Sequence, residues 1–246
     1  MQNPFSRTQM LFGQVAIETL KKSHVAVFGI GGVGGYAVEV LARSGVGEIT
    51  LIDNDRVSWS NINRQIYALT STIGQLKVDV AKARIKDINP SCVVHCYPMF
   101  YLPENADELD LSTYDYVVDC IDTIKAKLEL IRRCHRLNVP LISSMGAANK
   151  IDATAFRVAD LSETNMDPLA RILRKTLRKE GIAHLKVVYS EEQPLLPVDC
   201  GIQGELTKKE VVSSHRPIPA SNAFVPAAAG LIVGGEVVKD LIHFSS

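Results

Sequence analysis

The sequence carries no excess of charge of either sign. Lysine plus arginine and aspartate plus glutamate both number 27, so the overall charge gives no support to a nucleic-acid or membrane partner, and any basic surface must be local. Paired cysteines are missing too. Cys92, Cys96, Cys120, Cys134 and Cys200 are scattered and none stands in a C-x-x-C pair, which argues against a disulfide framework and against a structural zinc site. Reduced, inert thiols are the preferred reading, Cys200 included. No apolar run is long enough for a membrane: residues 223–235 fall short of the ~18–20 needed to cross a bilayer and contain Pro226 and three glycines. They read as a buried helix. Residues 1–8 lack the basic-then-apolar layout of a secretory signal, so a cytoplasmic protein is expected. No internal repeat or low-complexity tract occurs.

What is present is a strand and helix rhythm. At 246 residues and 46% hydrophobic the chain can bury one substantial core without requiring two domains. Short apolar runs at 24–28, 48–52, 93–97, 116–120 and 140–144 read as strands, and residues 36–44, 77–89 and 125–138 show helical spacing. This alternation predicts an α/β fold, a Rossmann-like doubly wound and mostly parallel sheet whose ligands bind beyond the carboxyl ends of the strands. After Gly146 the rhythm changes. Residues 154–158 and 185–189 read as strands flanking a helix at 167–179, 191–220 is a long polar and proline-rich connection, and 222–242 is an apolar helix set against the sheet. The second half thus extends the sheet with an antiparallel element.

Gly29-Ile30-Gly31-Gly32-Val33-Gly34 fits G-x-G-x-x-G between a strand and a helix. Glycines let a backbone approach phosphate closely, and a helix N-terminus presents free N–H groups and partial positive charge. Asp53 stands at the tip of the next strand, where a carboxylate accepts hydrogen bonds from ribose hydroxyls. By themselves these features predict an adenine nucleotide without distinguishing NAD from ATP.

Cations shift the balance. Asp53-Asn54-Asp55-Arg56-Val57 precedes Ser58 to Gln65, with Asn61 and Arg64 inside that stretch and Lys77 thirteen positions beyond Arg64. Hydride transfer has little use for arginine and lysine beside the phosphates, whereas attack on a triphosphate builds anionic charge that preorganised cations must meet. Taken alone, Lys77 reads as a solvated surface charge.

With the glycine loop, Asp53, Asn61 to Gln65, Lys77 and the strand-end Asp122, residues 7–150 resemble the ubiquitin-activating-enzyme-like adenylyltransferases. The resemblance implies that Asp53 holds the ribose, that Asn61, Arg64 and Lys77 contact phosphates, and that Asp122 places Mg2+. It also implies that Arg7 reaches the nucleotide of the other subunit of a homodimer. Members of that family transfer AMP to a carboxylate. On this view residues 1–150 form the nucleotide-binding half of a single domain and 151–246 the substrate-binding and dimer half. The branch that activates the C-terminal glycine of a ubiquitin-like sulfur carrier typically has two C-x-x-C pairs, which are absent here.

A second branch, the tRNA threonylcarbamoyladenosine dehydratases, is similar over almost the whole chain. It has segments like Ser143 to Thr154, Asp167-Pro168-Leu169-Ala170-Arg171 and Val187-Val188-Tyr189-Ser190, although Ala148 and Ala153 stand where glycine and proline are expected. This likeness implies ATP, the anticodon loop of tRNA as substrate, a monovalent cation (Na+ or K+) near the nucleotide, and room for a sulfur-trafficking protein partner. Arg171, Arg174, Lys175 and Arg178, spaced by three and four, share a helix face able to track an RNA backbone. A solvated helix is the competing reading.

Overall fold

The computed structural model describes residues 3–198 and 219–244. Cys200 and most of the 191–220 connection lie outside the described residues.

Two short helices, α1 (Ser6–Phe12) and α2 (Gln14–Lys22), precede the sheet. The alternation then runs β1 (His24–Phe28), α3 (Gly34–Ser44), β2 (Glu48–Ile52), α4 (Lys77–Ile88), β3 (Val93–Tyr97), β4 (Tyr116–Asp119), α5 (Ile124–Leu137) and β5 (Leu141–Ser144). The later part supplies β6 (Phe156–Asp160), α6 (Pro168–Lys179), β7 (Lys186–Ser190) and α7 (Val225–Leu241). The seven strands lie in the order β3-β2-β1-β4-β5-β7-β6. Every neighbouring pair is parallel except β6 with β7. The mostly parallel sheet with an antiparallel extension is therefore as expected.

Because side chains alternate across a strand, the sheet feeds two main cores. Val25, Val27, Ile49, Leu51 and Val118 pack with α3, α4 and α7, while Ala26, Phe28, Ile52 and Val117 pack with α5 and the 101–114 segment. A third cluster joins α5, α6 and β7. In α7 the buried residues Val225, Ala229, Val233 and Val237 recur every four positions and form one stripe. The helix lies against α3 so closely that a Cβ on Gly230 would stand 2.2 Å from the Val33 carbonyl oxygen. This approach braces the glycine loop from behind.

Two boundaries differ from expectation in an informative way. Helix α3 starts two residues before its apolar periodicity, because Gly34 and Gly35 occupy the first turn and glycine carries no periodic signal. Strand β6 begins at Phe156 rather than 154, because Asp152 accepts a hydrogen bond from the Thr154 N–H at 2.8 Å and closes a 3-10 turn over Ala153–Ala155. Among the described residues no helix is long and apolar enough to cross a membrane.

Candidate active site

The order of strands reverses between β1 and β4: the chain leaves β1 for β2 and β3, then returns to place β4 on the other side. Such a switch point opens a crevice at the carboxyl ends of the strands, and the glycine loop lies there. Gly29 has φ +80°, and a Cβ on it would meet the Cys120 carbonyl oxygen at 2.8 Å. A Cβ on Gly34 would stand 1.9 Å from the Gly29 carbonyl oxygen. The loop thus closes on itself and on the end of β4, which only glycine permits. Helix α3 has no side-chain cap; in its first turn the Gly35 N–H donates to the Gly31 carbonyl at 3.0 Å and the Tyr36 N–H to the Val33 carbonyl at 3.1 Å, and the positive end of the helix dipole faces the loop.

The stretch after β2 folds over the loop. A Cβ on Gly32 would lie 3.5 Å from Cγ of Arg64, and one on Gly31 would lie 3.6 Å from Nε2 of Gln65. Arg64 is held by donating from Nη1 to the Ser60 carbonyl at 2.7 Å and to Asn63 Oδ1 at 2.9 Å. Asn61 is buried, and its Oδ1 accepts the Ser58 N–H at 3.1 Å. Asp53 accepts the Ile30 N–H at 2.9 Å and the Asp55 N–H at 2.8 Å, which ties β2 to the glycine loop. Burial pushes the Asp53 carboxyl above its usual range, opposed by the charge of Lys77 and by these two N–H groups.

Lys77 is not the solvated charge it resembles in isolation. It is 4% exposed at the start of α4, and its ammonium lies 2.8 Å from Asp55 Oδ2. The Lys77 N–H also donates to the Asp55 carbonyl at 3.0 Å. Asp55 is largely exposed and so orients Lys77 without enclosing it. Gly29, Gly31, Gly32, Gly34, Asp53, Asp55, Asn61, Arg64 and Lys77 thereby converge on one edge of the sheet. Asp122 is exposed in the loop beyond β4, where its carboxylate accepts from the Thr123 hydroxyl at 3.3 Å.

The aspartate at the end of β4 is Asp119, not Asp122, and it is fully buried. Its Oδ2 accepts from Lys127 Nζ and from the Ser143 hydroxyl, both at 2.7 Å. Lys127 also donates to Ser143 Oγ and to the Ser144 carbonyl, each at 3.0 Å. Asp119 Oδ1 accepts the Ile121 N–H at 3.1 Å and so shapes the turn that carries Asp122. Sequence reasoning missed this network, although a signal exists: Lys127 interrupts the otherwise apolar stripe Ala126, Leu130, Ile131 and Cys134 of α5.

A second unforeseen pair follows β5. Lys150 donates to the Gly146 carbonyl at 2.6 Å and lies 3.3 Å from Asp167 Oδ2, while Asp167 Oδ1 caps α6 through the Ala170 N–H at 2.9 Å. Asn149, with φ 60°, accepts the Leu195 N–H at its carbonyl and the Ala220 N–H at its side chain, at 2.7 Å each. The loop after β5 therefore grips the chain at both of these points.

The other candidates stand apart from the glycine loop. Arg7 is exposed on α1. On α6, Arg171, Lys175 and Arg178 are exposed, whereas Arg174 Nη1 donates to the Thr164 carbonyl at 2.7 Å and clamps the 161–164 turn. Burial pushes the thiol of Cys92 up to about 11 and those of Cys120 and Cys134 up to about 12. None of these three is a thiolate at neutral pH.

This geometry has close counterparts. Residues 5–244 match the ThiF family. The tRNA threonylcarbamoyladenosine dehydratase of Bacillus subtilis (strain 168) is 49% identical over 98% of this chain and 96% of its own. A crystal structure of the Escherichia coli enzyme of that name, in complex with AMP, superposes with a TM-score of 0.85 at 35% identity, covering 98% of this chain and 94% of its own. The same enzyme in complex with ATP gives a TM-score of 0.83 at 34% identity with the same coverage. The adenylyltransferase and sulfurtransferase MOCS3 of Drosophila sechellia is 37% identical over only 60% of this chain and 32% of its own. The chain belongs to the ThiF family and, within it, to the tRNA threonylcarbamoyladenosine dehydratases.

Proposed function

We infer that this protein is an ATP-dependent enzyme that cyclises N6-threonylcarbamoyladenosine in tRNA by activating its carboxylate. The observation that carries the reading is the approach of Arg64 to the glycine loop, with buried Lys77 behind Asp53. This set of cations suits a triphosphate better than a dinucleotide, and the relatives in complex with ATP and AMP support it.

In the first step an oxygen of the substrate carboxylate attacks the α-phosphorus of ATP and pyrophosphate leaves. A nitrogen of the same threonylcarbamoyl group then attacks the acyl carbon, and AMP departs with one of the former carboxylate oxygens as the nitrogen loses its proton to solvent. The glycine loop and the N-terminus of α3 hold phosphates through backbone N–H groups, and Asp53 takes the ribose. Asn61, Arg64 and Lys77 meet the charge that develops on the phosphates. Asp122, an exposed carboxylate, is the hard oxygen donor that suits Mg2+. When bound, that ion neutralises part of the triphosphate charge. Incubation with tRNA carrying the modification and ATP, followed by nucleoside mass spectrometry, is expected to show loss of one water from the modified nucleoside. An unchanged mass contradicts the reading.

Two finer parts of the proposal concern surfaces. Arg171, Lys175 and Arg178 form the exposed part of a basic helix face that suits an RNA backbone. In the N-terminal region, α1 and the start of α2 expose Met10 (86%), Leu11 (72%) and Val15 (77%), a cluster of apolar side chains suited to a homodimer in which Arg7 completes the site of the other subunit. Mixing Arg7→Ala with Lys77→Ala protein is then expected to give more activity than either alone, because one site in each heterodimer keeps both residues. Mixed protein no more active than its components contradicts the shared site.

A further inference from the structure

The amino end of the sheet, opposite the glycine loop, holds a group of side chains that the reaction does not use. In the parallel register His24 of β1 stands beside Glu48 of β2, and His95 of β3 stands beside Thr50. Glu48 and Thr50 are two apart on one strand, so all four side chains share a face of the sheet. Glu48 Oε1 lies 3.6 Å from His24 Nδ1 and 2.8 Å from His95 Nε2. The two imidazole centroids are 5.7 Å apart. Three adjacent strands each contribute one donor to a single point.

We propose that His24, Glu48 and His95 form a binding site for a divalent metal ion of the zinc and cobalt class. Two imidazoles and one carboxylate with a fourth position open to water is a known donor set for zinc, which binds histidine nitrogen at about 2.0–2.1 Å and so holds tetrahedral ligands about 3.3–3.4 Å apart. The two separations to Glu48 Oε1 bracket that value, and one donor atom from each of the three residues lies within 4.8 Å of the others, so adjustment of the side chains closes the set around an ion. Nitrogen-rich donors favour zinc, cobalt, nickel or copper over magnesium.

Two features prepare His24 for this role. Its Nε2 is hydrogen-bonded to the buried Thr50 hydroxyl at 2.8 Å, which fixes the ring and leaves Nδ1 to face Glu48. Metal-bound histidines are commonly oriented by such a partner on the other nitrogen. The ring also stacks edge-on against Tyr114 with centroids 4.8 Å apart. On binding, the ion replaces the hydrogen bond between His95 and Glu48, and His95 presents a lone pair at Nε2.

The test is titration of the whole, nucleotide-free protein with Co2+ in excess Mg2+, read by visible absorption, and with Zn2+, read by calorimetry. One equivalent is expected with the absorption of low-coordinate cobalt, together with a rise in the thermal transition. His95→Ala, at a part-exposed position, is expected to abolish that equivalent. Thr50→Val, which removes the partner that orients His24, is expected to weaken it at least ~10-fold, and Glu48→Gln, which removes a ligand, is expected to weaken it more. Absence of uptake by the unaltered protein, or uptake unchanged in His95→Ala and Glu48→Gln, overturns the proposal and in the latter case assigns the ion to other residues.

Discussion

Arg64→Ala is expected to lower kcat for tRNA dehydration by about 10²–10³-fold, the usual loss when one preorganised donor at a developing charge is removed, with a much smaller change in ATP affinity. Lys77→Ala is expected to behave in the same way. Both cations are fixed before substrate arrives: Arg64 by Ser60 and Asn63, and Lys77 by Asp55. Preorganised charge stabilises the transition state without the reorganisation that water would require, so the loss falls on turnover more than on binding. Lys77→Ala leaves Asp55 with a side chain that is 61% exposed, and Asp53, although it loses a nearby positive charge, keeps the Ile30 and Asp55 N–H donors. The variant therefore folds, and its kinetics report on catalysis. Single-turnover rates and ATP dissociation constants, measured on each variant, separate the two effects. Equal losses in both assign these residues to binding alone.

The second large effect is structural. Lys127→Met is expected to destabilise the fold by about 3–5 kcal/mol, because it leaves Asp119 uncompensated in the interior. For a domain of this size that corresponds to a fall of roughly 6–20 °C in the thermal transition. Both side chains are 0% exposed, and Lys127 uses all three N–H donors on Asp119, Ser143 and Ser144. The ion pair is not required for stability as such. Asp119→Leu combined with Lys127→Met is expected to recover part of the loss, because no uncompensated charge remains in the interior, although the Ser143 hydroxyl, the Ser144 carbonyl and the Ile121 N–H each lose a partner. Its activity is expected to stay low, since Asp119 also fixes the Ile121 N–H and with it the turn that bears Asp122. Thermal unfolding of the single and double variants decides the first point: a double variant no more stable than Lys127→Met contradicts it.

What the sequence revealed and what it hid follow from the range of the forces involved. The glycine loop was legible because its requirement is local: positive φ at Gly29 and atomic contact at Gly34 exclude side chains whatever the surroundings. Strands β1, β2 and β3 were legible to the residue, since a short apolar run between turn residues has one reading in an alternating chain. Strand β6 was displaced by two residues because a single Asp152 carboxylate competed for the backbone of Thr154. Lys77 looked solvated because its burial is created by the chain folding back from Asp55, 22 residues earlier. Asp119 and Lys127 looked like an ordinary strand end and an ordinary helix lysine. Their pairing depends on β4, α5 and β5 meeting in three dimensions, so the place of Lys127 within an apolar stripe points to burial without naming the partner.

In the proposed reaction the carboxylate of the tRNA modification becomes an acyl adenylate. This step is tested most directly with tRNA whose threonylcarbamoyl carboxylate carries oxygen-18, in one turnover with unlabelled ATP, followed by mass analysis of the nucleotide products. One labelled oxygen is expected in the phosphate of AMP and none in pyrophosphate. Label that appears only in water, or in a phosphate released from the end of ATP, contradicts it.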